Sequence, residues 1–126
     1  MITIDDIRNE LGDAYSNVPD AIIQNFIDKR ENELKELIQY NDLSKAPYPY
    51  LLKKWLMNVV CIDILKWDML GKDSADSLNY SIGDLKENKD LNIKLKLEWI
   101  QMLKEDAEKA LNDWFTLVTG YRAVSP

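Results

Sequence analysis

The sequence predicts an all-α domain: a four-helix bundle-like unit with a central buried third helix, a long loop before the last helix and a short C-terminal tail. Three observations lead there. Apolar residues recur at spacings of three and four over several long stretches, which is the period of a helix face rather than the alternation of a strand. Four glycines and four prolines in 126 residues are too few for the many turns of an all-β chain. The segment from Trp55 to Trp67 is apolar around most of its circumference, so other helices have to enclose it. At this length the chain, residues 1–126, is expected to form one domain with a core of its own.

Thr3 followed by Asp6 forms an N-terminal capping pattern, with Ile4, Ile7 and Leu11 at helical spacing behind it. Gly12 is suited to end this short first helix, since glycine adopts a left-handed conformation without steric cost. A turn, YSNVPD, follows, and Pro19 fits the first turn of the next helix, where a missing N–H is harmless. The second helix is expected from about Asp20 to Tyr40. Ile23, Phe26, Ile27, Leu34, Leu37 and Ile38 form its apolar stripe, and Asp28, Lys29, Glu31, Asn32, Lys35 and Glu36 its solvated face.

Pro47 and Pro49 make NDLSKAPYP a linker, because each pushes the residue before it out of helical geometry. The third helix, about Tyr48 to Leu70, carries Trp55, Leu56, Val59, Val60, Ile62, Ile64, Leu65 and Trp67 and belongs at the centre of the bundle. Gly71 ends it. The connection KDSADSLNYSIGDLKENKD is longer than most loops of compact domains, which marks it as functional or disordered. The fourth helix is expected from about Leu91 to Val118, stopping at Gly120. Its main stripe is Ile93, Leu97, Ile100, Leu103, Ala107, Leu111, Trp114, Phe115 and Val118. A second stripe, Leu91, Leu95, Trp99 and Met102, lies about 140° away on its first half.

The composition narrows the function. A net charge of −6, from 22 acidic and 16 basic residues, opposes sequence-independent nucleic-acid binding and docking on anionic membranes. The single cysteine, Cys61, excludes an internal disulfide and fits a reducing compartment. The start, MITIDDIRNEL, is acidic where a signal peptide is basic, and no uncharged apolar run reaches the ~20 residues of a membrane span. The expectation is a cytosolic or assembly-borne protein.

Chemistry is sparse. With no histidine, every Ser-His, Cys-His and His-metal arrangement is absent. Cys61 lies in the most buried-looking segment, where a thiol is ordinarily inert. The scattered glycines build no phosphate-cradling loop, and DSAD lacks the alternating ligands and closing Glu of a calcium loop. No catalytic, metal or cofactor residue is assigned, and the chain is not expected to be an enzyme. Arg30, in the middle of the second helix's apolar stripe, has two readings. Either its stem packs and its head reaches water, or it forms a buried ion pair with Asp63, also a charge set in apolar helix sequence. The second stripe of the fourth helix also has two. It is covered within the monomer by the N-terminal helix or the long loop, or it is a subunit or partner interface with Trp and Met at its centre.

The order of parts resembles the head-tail connector family of tailed bacteriophages, the α-helical adaptor proteins beneath the portal. A short acidic helix, an amphipathic helix, a buried helix, a loop carrying YSIGDL and a long last helix extend over Thr3 to Gly120. Ser81, Ile82, Gly83 and Asp84, with Leu85 following, match the family's Ser-x-Gly-Asp-like segment. Family members often continue with an alternating serine-rich stretch, and this chain continues with KENKD. The resemblance implies an oligomeric adaptor ring in the virion, assembled in the host cytoplasm. The ring binds the portal protein and receives a downstream head-completion or tail protein, and DNA only passes through it. A ring needs two different patches on each subunit; the second stripe and the Ile82/Leu85 pair are the candidates, the other reading of that pair being that it only anchors a turn at Gly83 to the bundle. A negative lumen would avoid gripping the passing phosphates. In this family terminal segments commonly reach toward the portal, which makes Tyr121 and Arg122 candidates for a contact; the other reading of the tail is simple fraying. The alternative function is a small helical module, regulatory or scaffolding, that binds one cellular protein partner.

Overall fold

A computed structural model describes residues 1–69 and 90–120, with side-chain surroundings from 1–69 and 93–120. The chain is all-α. Among the described residues it forms α1 (Ile4–Leu11), α2 (Asp20–Ile38), α3 (Pro49–Met69) and α4 (Asp90–Thr119), with single 3₁₀ turns at Asp13–Tyr15 and Leu43–Lys45 and no strand. The expected long loop and C-terminal tail lie outside the described residues.

The first helix begins with a complete capping box. The Asp6 amide donates to the Thr3 hydroxyl oxygen at 3.1 Å, and the Thr3 amide donates to the Asp6 carboxylate at 3.0 Å. Gly12 closes the helix with φ +85° and donates its amide to the Arg8 carbonyl at 2.9 Å. Its ψ of −175° takes the chain straight into extended geometry rather than into a left-handed turn.

Pro19 sits one residue ahead of α2, extended at φ −62° and ψ 143°, and its carbonyl accepts the Ile22 and Ile23 amides. The helix ends at Ile38, before the expected Tyr40. Gln39 turns left-handed (φ +60°), and the Tyr40 amide reaches back to the Lys35 carbonyl at 3.1 Å. Ile23, Ile27, Leu34 and Ile38 are buried and Phe26 is half-buried. Leu37, placed in the stripe by its spacing, is 45% exposed. It points about 70° away from the mean direction of the buried four, in the last turn.

In the linker Ala46 is extended, as a residue before proline should be, and Tyr48 takes a left-handed φ of +50° between the two prolines. α3 then buries side chains on every side: Leu51, Leu52, Trp55, Leu56, Val59, Val60, Cys61, Ile62, Ile64 and Leu65. It packs against all three other helices and most extensively against α4, so it is the central helix the sequence predicts. The pair is antiparallel. The Lys96 amine meets the Asp68 carboxylate at one end, and the Trp114 indole N–H donates to the Pro47 carbonyl at 2.7 Å at the other.

The packing of α4 follows the expected main stripe in part: Leu103, Ala107 and Trp114 are buried as expected. Leu103, Ala107, Ala110 and Trp114 form the buried line, with Trp99, Ile100 and Leu111 half-buried against the core. Leu97, Phe115 and Val118, expected in the main stripe, are 52%, 38% and 39% exposed, and Trp99, expected in the second, joins the core. The physical reason is the Ala107 and Ala110 pair. Two methyl-sized side chains one turn apart let two helices approach closely, so α4 lays this narrow line against α3 and turns its bulkier flank outward. No helix among the described residues is long and apolar enough to cross a membrane.

Candidate partner surface

The second stripe of α4 is divided by its neighbours. Trp99 stacks edge-to-face on Tyr15, with ring centroids 6.3 Å apart, so the turn after α1 covers its middle. Lys96 fixes the same corner. Its amine lies 5.9 Å over the Tyr15 ring and donates to Asp68 at 3.1 Å. Leu95 and Met102, on either side of Trp99 along the helix, each remain 52% exposed. Cover within the monomer therefore holds in part: the turn after α1 covers Trp99 and leaves Leu95 and Met102 exposed. The side chain of Leu91 lies outside the described residues, as do Ser81, Ile82, Gly83, Asp84, Leu85, Tyr121 and Arg122.

Arg30 and Asp63 are brought together across the α2–α3 seam. The Arg30 Nε and Nη2 each donate to one carboxylate oxygen of Asp63 at 2.7 Å, the parallel two-bond arrangement that suits guanidinium and carboxylate. The Nη1 donates to Glu33 at 2.7 Å. The hydrogen bonds that Arg30 donates to Asp63 hold the guanidinium above its ordinary range against the opposing effect of burial. The Arg30 side chain keeps 23% of its surface exposed and Asp63 13%, so the pair is largely but not wholly enclosed. It clamps two helices.

The groups that could do chemistry are few. Burial pushes the Cys61 thiol up to about 12, with the Glu10 carboxylate adding to the effect, so it stays protonated and enclosed. Among the described residues no cluster of three side chains of metal-ligating type occurs. A shallow cleft of about 470 Å³ runs between α1 and the start of α2, past Ile2, Asp5, Arg8 and Asp20. Its cation is occupied: the Arg8 guanidinium donates to the Ser16 and Val18 carbonyls and to the Asp20 carboxylate. That network fastens the turn onto α1.

Two features escape a reading by spacing. Asn58 is 7% exposed in the middle of α3, and its Nδ2 has no hydrogen-bond partner. Its polarity was visible in the sequence, but nothing there marked it as enclosed without a partner. The outward flank of α4, with Leu97 and Phe115, falls within the expected core stripe because apolar spacing reports a stripe and not which neighbour faces it. No family model, no curated protein and no solved structure matches this chain.

Proposed function

We propose that this protein is a structural, non-enzymatic adaptor of a phage or prophage head-tail connector, forming a ring beneath the portal and joining it to the next head-completion or tail protein. The observation that carries the proposal is the exposed Leu95 and Met102 pair around a half-buried tryptophan on the longest helix. Apolar side chains of this size, grouped on a rigid helix and centred on Trp, suit one side of a subunit or partner contact. The order of helices and the Ser81–Leu85 segment supply the likeness to connector adaptors. The absence of histidine from the sequence and the protonated, enclosed Cys61 support a role without catalysis.

Co-expression with portal proteins from tailed phages, followed by affinity purification and negative-stain microscopy, tests this reading. The expected result is a complex showing a ring beneath the portal, lost in the Leu95→Glu/Met102→Glu double variant while its helical circular dichroism stays unchanged. A double variant that still forms the ring removes this face from the contact. A chain that joins no portal, and instead retains one cellular protein through the same two residues, would establish the interaction module in place of the adaptor.

A further inference from the structure

The opposite flank of α4 is the second exposed apolar feature, and its order of residues is self-complementary. Leu97, Lys104, Glu108 and Phe115 are all exposed, at intervals of seven, four and seven residues. At 100° per residue they fall within about 40° of one another, some 110° around the helix from the buried line of Leu103, Ala107, Ala110 and Trp114. Neither Lys104 nor Glu108 has an ion-pair or hydrogen-bond partner among the described residues.

Turning a second copy of this helix antiparallel and placing the two-fold axis midway between Lys104 and Glu108 matches every member of the set with a complement. Leu97 meets Phe115 of the copy and Lys104 meets Glu108 of the copy, and the same two contacts recur on the other side of the axis. Further out, Ile93 falls within one residue's rise, about 1.5 Å, of Val118 of the copy, which is 39% exposed. The result is two apolar ends around a centre of two reciprocal ion pairs. A two-fold interface requires this property of a single patch: residue i contacts j, and j contacts i. The charges also set direction, since a parallel pairing in register places Lys104 against Lys104 and Glu108 against Glu108.

We infer that this flank of α4 is a homodimer interface, in which two copies of the chain pair antiparallel through Leu97, Lys104, Glu108 and Phe115. The two-fold pairing uses a different face from Leu95 and Met102 and is independent of the adaptor reading. A ring contact is head-to-tail and joins unlike patches, so both surfaces can serve one protein in turn.

Sedimentation of the full chain over a concentration series tests the inference. The wild type is expected to pass from monomer to dimer as concentration rises. Lys104→Glu and Glu108→Lys, each placing like charges across the axis, should each raise the dissociation constant by about tenfold or more, and the double swap should restore it. Both positions are solvent-exposed, and circular dichroism checks that the variants remain folded. A second arm reads geometry: a mixture of Leu97→Cys and Phe115→Cys chains should cross-link under mild oxidation. Leu97→Cys alone should not, because its two copies stand about 27 Å apart in the antiparallel pair. A chain that stays monomeric at all concentrations, single swaps without effect, a double swap that fails to restore association, or a Leu97→Cys self-cross-link would each overturn the proposal. Leu95→Glu/Met102→Glu leaves the dimer intact if the two surfaces are distinct, and its loss there would overturn that separation.

Discussion

Arg30 shows how one residue's environment sets the size of its contribution. Its three charge-assisted hydrogen bonds join α2 to Asp63 on α3 and to Glu33 on its own helix. An exposed ion pair is worth at most about 1 kcal/mol, and breaking a fully buried one costs about 3–5 kcal/mol. With both side chains less than a quarter exposed, Asp63→Ala should cost about 2–3 kcal/mol in urea unfolding, and Glu33→Ala, on the open side, less than about 1. Equal losses for the two would show that the α2–α3 clamp is not the strong contact. Because the Arg30 value is raised, its contribution is full below the ordinary guanidinium range and fades only as pH climbs through the raised value, so it stays constant across the neutral range. Asp6 has the opposite sign. The Thr3 amide hydrogen bond lowers its carboxyl below 3.8, so its contribution is present above that value and disappears as pH falls through the lowered one. The melting temperature of Asp6→Asn should therefore lie below wild type at neutral pH and converge with it at strongly acid pH; a gap that persists there would mean the carboxylate charge is not what stabilises the cap. The Thr3–Asp6 cap was legible because capping is local chemistry between residues three apart. The Arg30–Asp63 pair was legible only as one of two readings, since charges within apolar stripes are conspicuous and their partners are not. Glu33 carried no signal, as a Glu three residues from an Arg on a solvated face is ordinary.

At the scale of helices, α4 separates what a periodic pattern specifies from what packing decides. That a long helix ends near Gly120 followed from spacing and from glycine's freedom at positive φ, here +69°. The face it buries followed in part: Leu103, Ala107 and Trp114 of the expected stripe are buried, whereas Leu97, Phe115 and Val118 point to the flank and two alanines set the approach to α3. A hydrophobic stripe wide enough to offer two rotations is resolved by shape, and shape is a property of the pair of helices. Trp114 locks the chosen rotation. It is 2% exposed, stacks edge-to-face with Tyr40 and Phe115, and donates its indole N–H to the Pro47 carbonyl. Trp114→Phe keeps most of the ring contacts and loses the hydrogen bond, so it should cost about 1–2 kcal/mol. Trp114→Ala also opens a cavity and should cost about 3–5 kcal/mol. If the two variants unfold at the same denaturant concentration, the ring packing is not what holds this end of α4.

Across the whole molecule, α3 is the shared wall on which α1, α2 and α4 each bury their apolar face, and its exposed residues, Pro49, Tyr50, Lys53, Lys54 and Lys66, form no continuous solvated face along its length. A helix of this kind is stable only while its neighbours are in place, and the eight-residue α1 is too short to persist alone. The helices are therefore expected to unfold together. Two probes report on different parts. Tryptophan fluorescence arises from Trp55 and Trp67 on α3 and from Trp99 and Trp114 on α4, whereas far-ultraviolet circular dichroism counts all the helices. In a urea titration the two curves should superimpose with one midpoint, the signature of a single cooperative unit. Trp99 sharpens the reading, because it rests on Tyr15 in the turn between α1 and α2. Were α1 and that turn to detach first, part of the fluorescence and part of the dichroism would change together at low urea, ahead of the main transition. A Tyr15→Ala variant should lower the common midpoint without splitting it, because Tyr15 is 8% exposed within the same core as α3. A split in that variant would show that α1 is a separate unit and that α3 relies on α2 and α4 alone.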